Sequence, residues 1–138
     1  MRKEIQFKNI LFWTDASEIV YSEVRNNDPR HQLKRIDVKL YIDAISTLCN
    51  GKAMPFIADL RGIHGAFSVR AAKLLSKSPD LARLIILEAY VTDTLDIRLL
   101  VASYKRLYDP ITPFGIFDTI EDAKDFCNEY KKTVHGSI

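Results

Sequence analysis

The chain predicts an α/β sandwich built on a mixed sheet, and three observations carry that expectation. Two aromatic and β-branched runs at the amino end, residues 5–14 and 18–25, are separated only by turn residues and read as an antiparallel hairpin. The run Leu84-Ile85-Ile86-Leu87 is continuously apolar, as in a parallel strand covered on both faces. From Asp37 onward, stretches of helical periodicity alternate with short strand-like ones to residue 130. A sheet of about four to six strands with about four helices is expected.

Each element follows from local signals. Ile5 and Phe7, then Ile10, Leu11, Phe12 and Trp13, suggest one strand bent at Asn9. Asp15-Ala16-Ser17 is turn chemistry. Ile19, Tyr21 and Glu23 then alternate with Val20, Ser22 and Val24 in the second strand. Residues 26–30 read as loop, and residues 31–36 as a short third strand. Asp37 is placed to cap a helix on which Val38, Tyr41, Ile42, Ile45, Leu48 and Cys49 recur at helical spacing. Asn50-Gly51 supplies its left-handed stop. A strand over residues 56–60 precedes a helix capped by Ser68 that ends before Pro79. Residues 81–90 read as the buried strand, and Thr92 or Asp93 as the cap of a helix reaching Tyr108, closed by Asp109-Pro110. A short strand over 113–117 leads to a last helix from Thr119 to Tyr130, with an apolar stripe of Ile120, Ala123, Phe126, Cys127 and Tyr130.

At 138 residues the chain suits one domain over residues 1–138, with 131–138 a frayed tail. No apolar run approaches the ~18 residues of a membrane span, and Met-Arg-Lys-Glu opens no apolar signal core, so a cytoplasmic protein is expected. A formal charge of +2 is too small to argue for nucleic acid. Arg25, Arg30, Lys34, Arg35 and Lys39 lack stacking aromatics and read as a solvated rim. Cys49 and Cys127 fall on apolar helix faces and read as buried free thiols. His31, His64 and His135 have no partner at metal-ligand spacing, so neither metal nor cofactor is expected.

The segment around residues 54–75 organises the rest. A short apolar strand ends at Asp59, Gly62 and Gly65 let the chain turn, and Ser68 opens a helix. In α/β folds, ligands and partners meet the carboxyl ends of strands and the amino ends of helices. Asp59, Arg61, Gly62, His64, Ser68 and Arg70 are therefore the candidate interaction loop. Asp59, His64 and Ser68 supply the residue types of a hydrolytic triad, but spacing this short rarely builds one. There is no Gly-x-Ser-x-Gly elbow and no Gly-Lys-Ser/Thr phosphate loop. Asp59 is more simply a carboxylate accepting turn amides, and no enzymatic activity is expected.

The order of elements, with Asp59-Leu60-Arg61-Gly62 before a capped helix, resembles the STAS domains, the anti-sigma-factor-antagonist (SpoIIAA-like) family. The likeness spans about residues 10–131 and is strongest to bacterial members that share a Cys/Ser-Asn-Gly-Lys helix ending like Cys49-Asn50-Gly51-Lys52. It implies a SpoIIAA-like sandwich and a protein-interaction or regulatory role. Signalling members of that family carry Asp-Ser-Ser-Gly and are phosphorylated on the second serine. Here the aligned residues are Phe67-Ser68-Val69-Arg70, so the acceptor position is Val69. The resemblance thus implies a module without that switch, unless Ser68 has taken it over.

The helix after Asp93 carries more apolar surface than one buried stripe needs. Leu95, Leu99, Val101, Tyr104 and Tyr108 are the candidate self-association residues, with cover by the final helix or the wall of an apolar ligand cleft as the alternative uses of the surplus. The functional expectation is a non-enzymatic interaction or regulatory module working on a protein partner or as a homodimer. The alternative is a small apolar-ligand or lipid carrier, since CRAL-TRIO-like lipid-binding domains share a related architecture.

Overall fold

Six strands form one sheet in the order β1-β2-β3-β4-β5-β6, each beside its neighbour in sequence. The computed structural model describes residues 2–7, 10–24, 35–61, 73, 75–109 and 111–136. Its elements are β1 (Lys3–Phe7), β2 (Ile10–Thr14), β3 (Val20–Val24), α1 (Arg35–Cys49), β4 (Met54–Asp59), α2 (Pro79–Leu84), β5 (Ile85–Val91), α3 (Leu95–Tyr108), β6 (Phe114–Phe117) and α4 (Ile120–Gly136). The first three strands pair antiparallel, with Ile5 opposite Phe12 and Trp13 opposite Tyr21. From β3 onward all pairing is parallel, with Val20 beside Phe56, Asp59 beside Val91 and Val91 beside Phe117. The expected mixed sheet with an amino-terminal hairpin is present.

Helix placement follows from this order. Right-handed crossovers that always advance in one direction deposit their helices on one face of the sheet. Phe12, Val20, Phe56, Ala58 and Tyr90 on that face pack against Ala44, Ile45 and Leu48 of α1, Leu81 and Leu84 of α2, and Ile97 and Val101 of α3. The last helix leaves the edge strand and folds back over the other face. There Ala123 and Cys127 of α4 meet Ile19, Tyr21, Ile57, Leu87, Ala89 and Val91. Strands β4 and β5 are thus covered on both sides, and every residue of β4 is buried.

Several boundaries differ from the sequence expectation. The single bent strand is two antiparallel strands, β1 and β2, because Ile5 and Phe12 pair back on one face. Arg35 and Ile36 are already helical in α1, so Asp37 lies inside the helix rather than capping it. Of the proposed third strand, Arg35 and Ile36 are helical and residues 31–34 fall outside the described residues. Leu81 to Leu84 are helical, not the start of a strand. Ser78 accepts a hydrogen bond from the Leu81 amide at 3.2 Å and Pro79 opens the helix, the pairing of cap and fixed φ that starts helices. Residues 131–136 continue α4 instead of fraying. The Lys131 ammonium donates to the Ser17 carbonyl and ties the helix to the β2–β3 turn.

Other local signals hold. Asn50 and Gly51 take positive φ of 50° and 83° at the end of α1. Both cysteines are buried and free. In β6, a Cβ on Gly115 would stand 2.7 Å from the Phe117 ring and 3.3 Å from Phe126, two rings whose centroids are 5.0 Å apart. Gly115→Ala is therefore expected to displace the Phe117 ring and cost about 1–3 kcal/mol, read as a lower urea midpoint. An unchanged midpoint would mean that the ring rotates aside at no cost.

Candidate functional site

The last residue of β4 sets the geometry at the carboxyl end of the sheet. Asp59 is buried, and both its oxygens are taken by Arg61. The Arg61 amide and Nε donate to Oδ1 at 3.1 and 2.9 Å, and a terminal nitrogen donates to Oδ2 at 2.8 Å. The Leu60 amide is bonded to the Val91 carbonyl, which fixes the start of the loop against β5. The Asp59 hydrogen bond raises the Arg61 pKa above its usual value, and Asp93 and Glu23 add to that. Three of the roughly four acceptor sites of the carboxylate are thus given to Arg61, which holds the turn. Asp59 is a turn-holding carboxylate, as its sequence context suggests. Gly62, His64, Ser68 and Arg70 lie outside the described residues. Asp59→Asn keeps the shape but loses the charge-assisted fork, at an expected cost of about 1 kcal/mol in thermal or urea unfolding. A cost near zero would mean that solvent replaces the fork freely.

Helix α3 is the second candidate. Its cap is Thr94, two residues after Thr92, with Oγ1 accepting from the Ile97 amide at 3.4 Å and Asp96 in the first turn. The inward stripe is Ile97, Val101, Tyr104 and Lys105, spaced by four, three and one. Val101 and Tyr104 therefore belong to the core and are unavailable for self-association, which corrects two of the five candidates. Leu95 and Leu99 are on the outer side, 66% and 57% exposed, and Tyr108 is partly exposed. Leu107, one of the surplus apolar residues of the helix, and Ile111, which follows it, are also exposed.

A buried ionic cluster was also missed. Lys105 is 1% exposed, its ammonium donating to Glu88 Oε1 on β5 and, at 2.6 Å, to Asp109 Oδ2 at the end of α3. Tyr90 OH donates to Glu88 Oε2 at 2.8 Å, and the Phe114 ring lies 5.4 Å from the ammonium. The Thr112 amide reaches Asp109 Oδ1 at 3.4 Å, and the Glu88 amide bonds the Pro113 carbonyl. The cluster thus fastens β5 to the connection between α3 and β6. Burial pushes the Glu88 carboxyl up against the pull of Lys105. Burial also raises Asp109, but the Lys105 hydrogen bond and charge outweigh it and hold that group low. Neighbouring Tyr104 is pushed up to about 12 by burial and by Glu88. The sequence signal was Glu88 itself, a carboxylate inside an otherwise apolar strand.

Among the described residues, no group of three His, Cys, Asp or Glu side chains is placed to hold a metal ion. No helix among them is long and apolar enough to cross a membrane. The chain matches no protein-family model and no curated protein.

Proposed function

We propose that this chain is a non-enzymatic protein-interaction or regulatory module of STAS type, acting in the cytoplasm of a bacterium through the outer face of α3 and lacking the family's phosphorylation switch. The observation that carries this reading is the exposure of Leu95, Leu99 and Leu107 on one helix, where an isolated domain gains nothing by leaving them wet. The sheet supports it. Ligand crevices in open α/β sheets form where the strand order reverses, and the sequential order β1 to β6 contains no reversal. The commitment of Asp59 to Arg61 also favours a structural over a chemical role for that turn.

The test is affinity capture from native extract with wild type and with Leu99→Asp, after confirming equal melting temperatures. A partner or second copy held by the wild type and lost from the variant supports the module. Turnover above background in a screen of ester, phosphate and nucleotide substrates would overturn it. So would a bound lipid or other apolar molecule in native mass spectra, which is the signature of a carrier.

A further inference from the structure

We infer that the partner of this face is a second copy of the chain, docked so that the two α3 helices run antiparallel about a two-fold axis that crosses the outer face at the level of Val101. The inference rests on the docking role proposed for α3 and names its occupant. The outer face of the helix reads Leu95, Asp96, Leu99, Ala102, Ser103, Arg106 and Leu107. This series is complementary to its own reverse. With the axis at Val101, Leu95 of one copy meets Leu107 of the other, and Asp96 meets Arg106. Leu99 meets Ser103, and Ala102 lies beside the axis. Residues equidistant from the axis of an isologous interface must suit one another, and here Leu95 meets Leu107 and Asp96 meets Arg106, with the small Ser103 facing Leu99.

Three further observations agree. Asp96 and Arg106 make no ion pair among the described residues, whereas Arg98 on the flank of α3 is occupied by Asp118 at 2.6 Å. Acid near the amino end and base near the carboxyl end suit the dipole of each helix and, in an antiparallel pair, each other. Ala102 and Ser103 are small, which lets two helix backbones approach to the ~8–10 Å of close packing. The exposed parts of Leu95, Leu99 and Leu107 come to roughly 350 Å² of apolar surface per copy, to which Asp96, Ala102, Ser103 and Arg106 of the same face add. That is well under the ~800 Å² per copy of a standard interface, so a weak, concentration-dependent dimer is expected.

Sedimentation equilibrium on the full chain, from about 1 to 200 μM, tests this. The wild type should be in monomer–dimer equilibrium. Arg106→Asp and Asp96→Arg each place two like-charged pairs across the axis and should weaken the dimer at least about tenfold. The double swap Asp96→Arg/Arg106→Asp should restore it to within about threefold. Circular dichroism confirms that each variant is folded. A 15.8 kDa monomer throughout the range overturns self-pairing. A dimer indifferent to the single reversals, or not rescued by the swap, overturns the antiparallel register. In either case, loss of captured partner on Leu99→Asp would still uphold the docking role of α3, so the two readings fail separately.

Discussion

Lys105→Ala should cost about 3–5 kcal/mol of stability, a large share of the ~5–15 kcal/mol that holds a small domain together. The reason is what remains behind. Glu88 and Asp109 both point at the Lys105 ammonium, and without it two largely buried carboxyl groups face each other unpaired. The alanine also leaves a space beside Phe114, whose ring lies against the ammonium. Lys105→Met refills that space but not the charge, so it should recover only a minor part of the loss. The triple variant Lys105→Met/Glu88→Gln/Asp109→Asn should recover most of it, because a buried ion cluster replaced as a whole leaves no orphaned charge. Urea unfolding followed by circular dichroism measures all three. A loss below about 1 kcal/mol for Lys105→Ala would show that water enters the site and solvates the carboxylates.

That cluster also marks where sequence reading stopped. Lys105 and Asp109 stand four apart near a helix end, the spacing of a solvated surface pair. Burial is settled by Glu88, a β5 residue 17 positions earlier that α3 covers only after the crossover closes. Periodicity within one element does not report such a contact. The same limit applies to α3 as a whole. Its surplus of apolar residues is legible, but which of them face the sheet depends on the roll of the helix, and that roll turns Val101 and Tyr104 into the core. Within β4 and β5 the apolar runs were enough, because strands covered on both faces carry that signature themselves. Leu81 to Leu87 misled for a related reason: a short apolar run fits a buried helix turn as well as a strand. Ser78-Pro79-Asp80 immediately before it is a helix start, and that signal decides the matter. Strand order was the least legible feature. Alternation of elements is compatible with several orders, and only the pairing of β3 with β4, β4 with β5 and β5 with β6 selects the sequential one.

Glu88→Ala should cost about 2–3 kcal/mol near pH 4.5, because Tyr90 loses its acceptor and Lys105 loses one of two partners. The pH dependence of that cost separates two accounts of the cluster. If attraction to Lys105 dominated, the Glu88 pKa would be depressed and the cost would grow as pH rises above the carboxylate range. Burial outweighs Lys105, so the folded-state value lies above the ordinary 4.5. A group raised on folding contributes stability that is fully present below its unfolded pKa and is lost as pH rises through the folded one. Asp109 is depressed and acts in a different window, its contribution present above 3.8 and lost as pH falls through the lower folded value. Above about pH 4.5 the Glu88 effect is therefore the one that moves. Wild-type stability should decline relative to Glu88→Ala across that range, so the cost of the substitution shrinks toward neutral pH. Glu88→Gln, which keeps an acceptor for Tyr90 and cannot ionise, should show the same relative trend with a smaller cost. Urea midpoints of the three proteins, taken at half-unit steps of pH, give the comparison. A cost that rises with pH would mean that the ion pair with Lys105, rather than desolvation, sets the ionisation of Glu88.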